Sequence, residues 1–143
     1  TFYTLKYTIP HLKRQGGAIV VTASVNGTRM FSNSGATAYA TSKAGQVAMT
    51  KMLALELAEH NVRANVICPG WIATDIEENT EREDLEGTGW PADYPKGRVP
   101  LADGGPGKPE QVARLVLFLA SEDAGLITGT PVWIDGAESL LQG

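Results

Sequence analysis

Short apolar runs and longer amphipathic segments alternate along this chain. Residues 1–15 have the pattern of a helix, and residues 18–23 form a near-continuous apolar run. Such a run is typical of a strand buried on both faces of a parallel sheet. Residues 38–60 predict a long helix and residues 62–68 the next strand. Strand, helix and strand in this order imply a right-handed crossover and a parallel strand pair.

The second half of the chain predicts one further helix and one further strand. Pro109 suits the first position of a helix, which then carries an apolar stripe at i, i+3, i+4 and i+7: Val112, Leu115, Val116 and Leu119. Residues 132–135 predict the last strand. Residues 75–108 show no clear strand, and long segments of this kind tend to be lids or binding loops. The acidic first part, residues 75–86, is compatible with a helix.

Tyr39 and Lys43 are the most informative pair of side chains. Four residues apart on a helix, they lie on the same face, one turn or about 5–6 Å from each other. An ammonium group beside a phenol favours the phenolate, and such a Tyr can exchange a proton with a substrate oxygen. Ser24 directly follows the first strand, and its hydroxyl could hold that oxygen. These residues predict redox chemistry at a C–OH or C=O carbon.

Two predicted functional elements lie at the same edge of the sheet. Ser24 follows the carboxyl end of the first strand, and Pro69-Gly70 follows that of the second. Open α/β sheets bind ligands in the crevice outside these ends. Glycine at position 70 permits close approach of the backbone to a ligand. We therefore expect a binding site at this edge.

The chain resembles the short-chain dehydrogenase/reductase family from Thr1 to about Gly136. The features that carry the resemblance are Ser24, Tyr39-x-x-x-Lys43, Asn65 in Val-Arg-Ala-Asn-Val-Ile-Cys, Pro69-Gly70-x-x-x-Thr74, and Ile127-Thr128-Gly129 ahead of Val132-Trp133-Ile134-Asp135-Gly136. The resemblance implies an α/β fold with a Rossmann-like doubly wound parallel sheet. It also implies an oxidoreductase that uses NAD or NADP to interconvert a secondary alcohol and a ketone or aldehyde.

The resemblance assigns roles to individual residues. It implies that Tyr39 is the catalytic acid/base, that Lys43 binds the nicotinamide ribose, and that Ser24 donates to the substrate oxygen. The cofactor-binding residues it implies are Tyr39, Lys43, Pro69, Gly70, Ile72 and Thr74. In that set, the Ile72 backbone would bond the carboxamide, and the Thr74 hydroxyl the carboxamide or the pyrophosphate. Asn65 is expected to be structural, tying its strand to neighbouring loops.

Two alternatives bear on the serine. The spacing from Ser24 to Tyr39 is fifteen residues, about two longer than the family resemblance leads us to expect, which leaves Asn26, Ser32 and Ser34 as other candidates. Ser24 is preferred because it directly follows the strand. A Ser–Lys hydrolase would need a nucleophile elbow of the G-x-S-x-G type, and the residues around Ser24 do not form one.

The chain shows no Gly-rich turn after a first strand, which a dinucleotide fold uses for the pyrophosphate. Residues 104–109 do not replace it, because a G-x-x-x-x-G-K-[ST] loop would need Gly at 102 and Ser or Thr at 109, where Ala102 and Pro109 stand. By the resemblance, residues 1–143 are the C-terminal part of one dehydrogenase domain, with residues 75–108 as the substrate lid. The nucleotide-binding half would precede them, with the residue that selects NAD or NADP and the family's catalytic Asn.

Composition narrows the partners. The 143 residues carry a net charge of −4, which disfavours nucleic acid and anionic membranes as partners. No apolar run approaches the roughly 20 residues of a membrane span, and we expect a cytoplasmic protein. His11, His60 and Cys68 show no metal-ligand spacing, so no metal site is predicted. The acidic stretch between Glu77 and Glu86 favours a free small alcohol, sugar or ketone over a substrate attached to an acidic acyl carrier.

The helix predicted at residues 38–60 is apolar on more than one face, so its outer side needs a partner. In the resembling family this helix often helps to build a four-helix dimer contact, which implies a homodimer or homotetramer. The alternative is that the rest of the chain covers it. A second functional reading also stays open, in which the chain is a non-catalytic truncated fragment that serves as an assembly module.

Overall fold

The computed structural model describes residues 1–76, 78–81, 83, 85–87, 89 and 93–141. The main elements are α1 (Phe2–Gln15), β1 (Gly17–Thr22), α2 (Thr37–Glu56), β2 (Val62–Pro69), α3 (Pro109–Ala120) and β3 (Pro131–Ile134). The predicted helices at residues 1–15 and from Pro109 onward and the three predicted strands are confirmed, whereas the helix predicted at residues 38–60 is present but ends earlier. Seven residues of the predicted acidic run and lid lie outside the described residues: Glu77, Arg82, Asp84, Thr88, Trp90, Pro91 and Ala92.

The three strands form one parallel sheet in the order β1-β2-β3. Gly17 of β1 lies opposite Val62 of β2, and the pairing continues to Thr22 opposite Ile67. On the other side of β2, Val66 lies opposite Pro131 of β3. The predicted parallel pairing is confirmed, with helices on both faces of the sheet.

Successive side chains of β2 point to opposite faces of the sheet, as the strand repeat of two residues requires. Val62, Ala64, Val66 and Cys68 belong to the main buried cluster, which α1 and α2 cover with Leu5, Ala54 and Leu57. Arg63 and Asn65 face the other side. There the Arg63 guanidinium donates to Leu119 O (2.7 Å) and Ser121 O (2.9 Å) and satisfies carbonyls at the end of α3. This layering leaves both faces of β2 buried, which explains why its residues are apolar except for Arg63 and Asn65.

The long helix predicted at residues 38–60 is shorter than expected. α2 ends at Glu56, and a separate 3₁₀-helix covers Ala58–His60. Its i→i+3 bonds, such as Asn61 N–H to Ala58 O (3.0 Å), tighten the last turn. Asn61 then adopts a left-handed conformation (φ 55°), so that the chain reverses directly into β2.

The described residues of the acidic stretch 75–86 form turns rather than a helix. One such turn is closed by Asn79 N–H donating to Asp75 O (3.1 Å). The stretch lacks an apolar stripe at helical spacing. Most helices in proteins are stabilised by packing such a stripe against the core. Among the described residues, no helix has the length and apolar character needed to cross a membrane.

Candidate functional site

The carboxyl ends of β1 and β2 lie side by side, as the sequence predicts. Ala23 N–H donates to Ile67 O (2.8 Å), and Val25 N–H donates to Pro69 O (3.0 Å). Ser24 therefore lies next to the start of the Pro69-Gly70 segment. Two candidate elements that are forty-five residues apart in sequence meet at one edge of the sheet.

A compact turn presents Ser24 at this edge. Ser24 is 6% exposed, and its Oγ accepts a hydrogen bond from Asn26 N–H (3.1 Å). Thr28 Oγ1 donates to Ser24 O (2.8 Å), while three successive backbone N–H groups, those of Thr28, Arg29 and Met30, converge on Val25 O. Of the other candidates, Ser32 and Ser34 are exposed, and Asn26 is half-buried in the same turn as Ser24. The choice of Ser24 stays a prediction, based on its place directly after the strand.

Tyr39 and Lys43 lie one turn apart at the start of α2. Lys43 Nζ is 5.5 Å from the centroid of the Tyr39 ring, and the Tyr39 side chain remains open to solvent at 38% exposure. Lys43 Nζ donates to Thr22 O (3.0 Å), two residues before Ser24. Burial lowers the pKa of Lys43, and the nearby Cys68 opposes that shift. The amine is therefore tied to the strand that carries Ser24.

Gly27 sets how closely the Ser24 turn approaches α2. A Cβ at this position would lie 2.2 Å from Ala40 O, and the residue has a left-handed φ of 80°. Only glycine combines that conformation with that contact. Because Ala40 follows Tyr39, the contact fixes the Ser24 turn against the first turn of the helix that carries Tyr39. The sequence indicates a turn here through the pair Asn26-Gly27, but nothing in it indicates the contact with α2.

Residues 69–74, which continue the chain from the end of β2, are hydrogen-bonded to Gly107. Gly107 N–H donates to Trp71 O (2.9 Å), and Ala73 N–H donates to Gly107 O (2.9 Å). Ile72 lies between these two bonds and pairs with Gly107 as an isolated bridge. Residues 104–108 therefore form a loop that ends where α3 begins, and this loop orders the Ile72 backbone. Thr74 is exposed at the end of the segment.

Asn65 has the structural role that the sequence predicts. Its side chain is 1% exposed, Nδ2 donates to Ile127 O (2.7 Å), and Oδ1 accepts from Thr130 N–H (3.2 Å). Burial of an amide is favourable only when such partners are present. Asn65 thereby ties β2 to the loop that leads into β3.

The structure also brings in residues that the sequence did not indicate. The Arg29 guanidinium lies 3.7 Å from the centroid of the Trp133 ring, and Trp133 Nε1 donates to Thr28 Oγ1 (3.2 Å). This contact braces the Ser24 turn against β3. Glu138, from the chain after β3, reaches the backbone of Trp71. Neither contact has a periodic or motif signal in the sequence.

A cavity of about 300 Å³ lies between the Ser24 turn and the start of α2. Met30 and Phe31 contribute to its wall together with Ala40 and Ala44. Met30 is 2% exposed and anchors the turn, whereas Phe31 is 76% exposed. Within the part of the chain that the structure describes, no cluster of three or more His, Cys, Asp or Glu could hold a metal ion.

Cys68 lies under the site and gives a direct test of its packing. The side chain is fully buried, and burial raises the pKa of its thiol, while contacts with Thr28 and Ser24 oppose the shift. We expect alkylation by iodoacetamide to be at least about 100-fold slower in the native protein than in urea, because the thiol reacts only through local opening. Mass spectrometry of timed samples measures both rates. Similar rates in the two states would show that Cys68 is not packed in the native protein.

Known proteins resemble this chain over nearly its whole length. Residues 1–137 match the family model described as enoyl-(acyl carrier protein) reductase. The chain is 40% identical over 136 residues to 3-oxoacyl-(acyl-carrier-protein) reductase FabG of Thermotoga maritima, covering 94% of this chain and 51% of that protein. It is 36% identical to cyclohexanol dehydrogenase of Acinetobacter sp., covering 95% of this chain and 49% of that enzyme. The chain thus spans about half the length of these curated relatives.

Solved structures show the same relationship in three dimensions. The crystal structure of a 3-ketoacyl-ACP reductase from Sinorhizobium meliloti superimposes with a TM-score of 0.93 at 54% identity, over 99% of this chain and 56% of that one. The parallel sheet is therefore part of a Rossmann-like fold. The Ser24, Tyr39-x-x-x-Lys43 and Pro69-Gly70 pattern, the match over residues 1–137 and the shared fold agree: the chain belongs to the short-chain dehydrogenase/reductase family.

Proposed function

We propose that this chain carries the catalytic half of an NAD- or NADP-dependent oxidoreductase that interconverts a secondary alcohol and a ketone or aldehyde. One observation carries the proposal: Lys43 Nζ lies 5.5 Å from the Tyr39 ring and is bonded to Thr22, two residues before Ser24. A proton donor, a cation and a hydroxyl thus gather at the edge of the sheet where α/β folds bind ligands.

The residues of this edge fit the nicotinamide end of a dinucleotide. An ammonium group has three donors, and Lys43 uses one of them on Thr22 O (3.0 Å). The others can serve the two ribose hydroxyls. Gly107 is hydrogen-bonded to Trp71 and Ala73, the residues before and after Ile72. The Ile72 backbone is therefore ordered, and its peptide group can bond the nicotinamide carboxamide. Pro69, Gly70 and Thr74 complete this wall in the proposal, and NAD or NADP supplies or accepts the hydride.

Proton transfer falls to Tyr39. In the reducing direction its hydroxyl gives a proton to the forming alkoxide, and in the oxidising direction its phenolate takes one from the alcohol. Ser24 Oγ accepts from Asn26 N–H (3.1 Å), which uses one lone pair and leaves the hydroxyl proton for the substrate oxygen. These fixed donors stabilise the oxyanion without reorganising during the reaction.

The substrate in this proposal is a small molecule with a CH–OH or C=O group. The relatives' printed names include a reductase of carrier-bound 3-oxoacyl groups and a dehydrogenase of cyclohexanol. The enzyme that contains this chain should therefore be tested with NADH and NADPH against cyclohexanone and against 3-oxoacyl thioesters, free and carrier-bound. Loss of reduced-cofactor absorbance that depends on a carbonyl substrate is expected. A protein that binds neither cofactor and turns over no carbonyl would favour the assembly-module reading.

We also infer that α2 forms a subunit contact in a homodimer or homotetramer. On its outer side Met52 is 64% exposed and Leu55 is 83% exposed, and α1 adds three exposed aromatic residues: Phe2, Tyr3 and Tyr7. Gln46 Nε2 donates to Thr1 Oγ1 (2.9 Å), which holds the start of α1 beside α2. Large apolar side chains that stay exposed on both helices are typical of an interaction site.

A charge placed on this surface should break the contact. We expect Leu55→Glu to shift the protein to monomers at micromolar concentration, because an unpaired carboxylate would be desolvated in the interface. Leu126→Glu is the matched control, since Leu126 is fully exposed and lies outside α1 and α2. Light scattering after gel filtration measures both masses. An unchanged mass for Leu55→Glu would exclude α2 as the contact.

A further inference from the structure

Glu138 is a fully buried carboxylate that the proposed chemistry does not use. Its side chain has 0% exposure. Oε2 accepts from the backbone N–H of Trp71 (2.6 Å), and Oε1 accepts from Nε of Arg98. A buried charge is costly unless it is paired and hydrogen-bonded. Here both carboxylate oxygens are satisfied, by two segments that are far apart in sequence.

The chain after β3 is shaped to place this carboxylate. Asp135 Oδ2 accepts from Ser139 N–H (3.0 Å), and Asp135 O accepts from Glu138 N–H (2.9 Å). Between them Ala137 has a left-handed φ of 72°, a conformation that is unfavourable for a residue with a side chain. The surrounding bonds hold this strained turn in place, which points to a role for the residue it presents.

The segment that Glu138 reaches leaves space for it. A Cβ at Gly70 would lie 2.4 Å from Glu138 Oε2, so the absence of a side chain at position 70 is what lets the carboxylate approach Trp71. Gly70 N–H in turn donates to Ile134 O (3.2 Å). Glycine is thus required at position 70 by this contact within the protein itself.

Arg98 connects the same carboxylate to the end of the segment predicted as the lid. Its guanidinium lies 5.6 Å from the centroid of the Trp71 ring, and its backbone N–H donates to Gly104 O (2.9 Å). Leu101 N–H donates to Gly136 O (3.1 Å), next to the Glu138 turn. Residues 93–104, residues 69–74 and the Glu138 turn therefore meet at one buried carboxylate.

We propose that Glu138 is a positioning residue for the backbone of residues 69–74, with Arg98 as its charge partner. Nicotinamide binding then depends on the contact between residues 93–104 and residues 69–74. The inference rests on the proposed function, because it assumes that residues 69–74 receive the nicotinamide. It assigns Glu138 no contact with substrate or cofactor. The carboxylate acts through the Trp71 amide, which lies between Gly70 and Ile72.

The test compares two ligands in the intact enzyme that contains this chain. The reduced dinucleotide carries the nicotinamide, whereas ADP-ribose, with a 2′-phosphate if the enzyme prefers NADP, lacks it. In Glu138→Gln the amide oxygen can still accept from Trp71 N–H, but the charge opposite Arg98 is lost. We expect the Kd of the reduced dinucleotide to rise about tenfold, while the Kd of ADP-ribose changes less than about twofold because its site is not coupled to the pair.

Two further variants keep the test decisive. Arg98→Met removes the same pair from the partly exposed side (32% exposed), and should give the same selective loss even if Glu138→Gln folds poorly. The double variant should bind the reduced dinucleotide no more weakly than either single variant, because both substitutions remove the same interaction. Glu122→Gln, at an exposed carboxylate in the 3₁₀-helix Glu122–Ala124, makes the same charge change as a control.

The outcomes separate the two proposals. Selective weakening of the reduced dinucleotide in both single variants supports the positioning role. Equal weakening of both ligands, or no weakening, overturns it while the wild-type enzyme still binds and turns over. A wild-type enzyme that binds neither NADH nor NADPH overturns the proposed function itself, and the positioning role with it.

Discussion

Replacement of Tyr39 by Phe in the intact enzyme is expected to lower kcat by about 10²–10⁴-fold, because the variant keeps the ring and loses the acid/base group. Binding of the reduced cofactor should change little, since Lys43 keeps its bond to Thr22 O (3.0 Å) without help from the phenol. The loss should therefore appear in kcat and hardly in the cofactor Kd. Steady-state rates and fluorescence titration of the reduced cofactor measure the two quantities.

The matched control is Tyr3→Phe, which removes the same atom from a tyrosine of α1 that is 72% exposed. Because Tyr3 also lies on the proposed subunit contact, light scattering first checks that the variant keeps the wild-type mass, and its kcat should then equal that of the wild type. A Tyr39→Phe enzyme that keeps more than about a tenth of the wild-type kcat would remove Tyr39 from the role of acid/base. Proton transfer would then have to come from another group at the edge of the sheet.

The sequence predicts the fold well where burial is two-sided. β2 is buried on both faces by α1, α2 and α3, so residues 62–68 are apolar except for Arg63 and Asn65 and were readable as a strand. The helix of residues 109–120 was readable from its apolar stripe and from Pro109 at its first position. The candidate site followed from topology, because parallel strands bring their carboxyl ends to one edge.

The parts that the sequence did not predict depend on contacts between distant segments. Glu138 is sixty-seven residues from Trp71, and Arg98 is forty residues from Glu138. A lone carboxylate near the end of a chain is normally exposed, and nothing local marks this one as buried. The end of α2 at Glu56 was missed for a related reason, since Leu57 is drawn into the core (1% exposed) and the final turn tightens around it.

Gly27 gives the second large expected effect, because its contact joins the two halves of the proposed catalytic group. In Gly27→Ala the new Cβ would lie 2.2 Å from Ala40 O and 2.8 Å from Ala40 C, both backbone atoms. A side chain at φ 80° costs about 1–2 kcal/mol by itself, and overpacking costs about 1–3 kcal/mol more. We expect the free energy of unfolding to fall by about 3 kcal/mol.

The same substitution should impair catalysis beyond its effect on stability. The strain can be relieved only by moving the Ser24 turn away from the first turn of α2, which carries Tyr39 beside Ala40. A displacement of about 1 Å between catalytic groups can cost about 100-fold in rate. We therefore expect kcat of Gly27→Ala to fall by about 100-fold at a temperature where the variant is fully folded.

Gly129→Ala separates backbone strain from this contact. Gly129 has a similar left-handed φ of 69°, and a Cβ there would meet Ala54 Cβ at an ordinary 3.4 Å. It should lose about 1–2 kcal/mol of stability through its backbone conformation and keep the wild-type kcat. Urea unfolding and steady-state rates on both variants make the comparison. If Gly27→Ala also keeps its kcat, then the approach of the Ser24 turn to α2 does not set the geometry of Tyr39, and the pairing of Ser24 with Tyr39 in one catalytic group loses its structural basis.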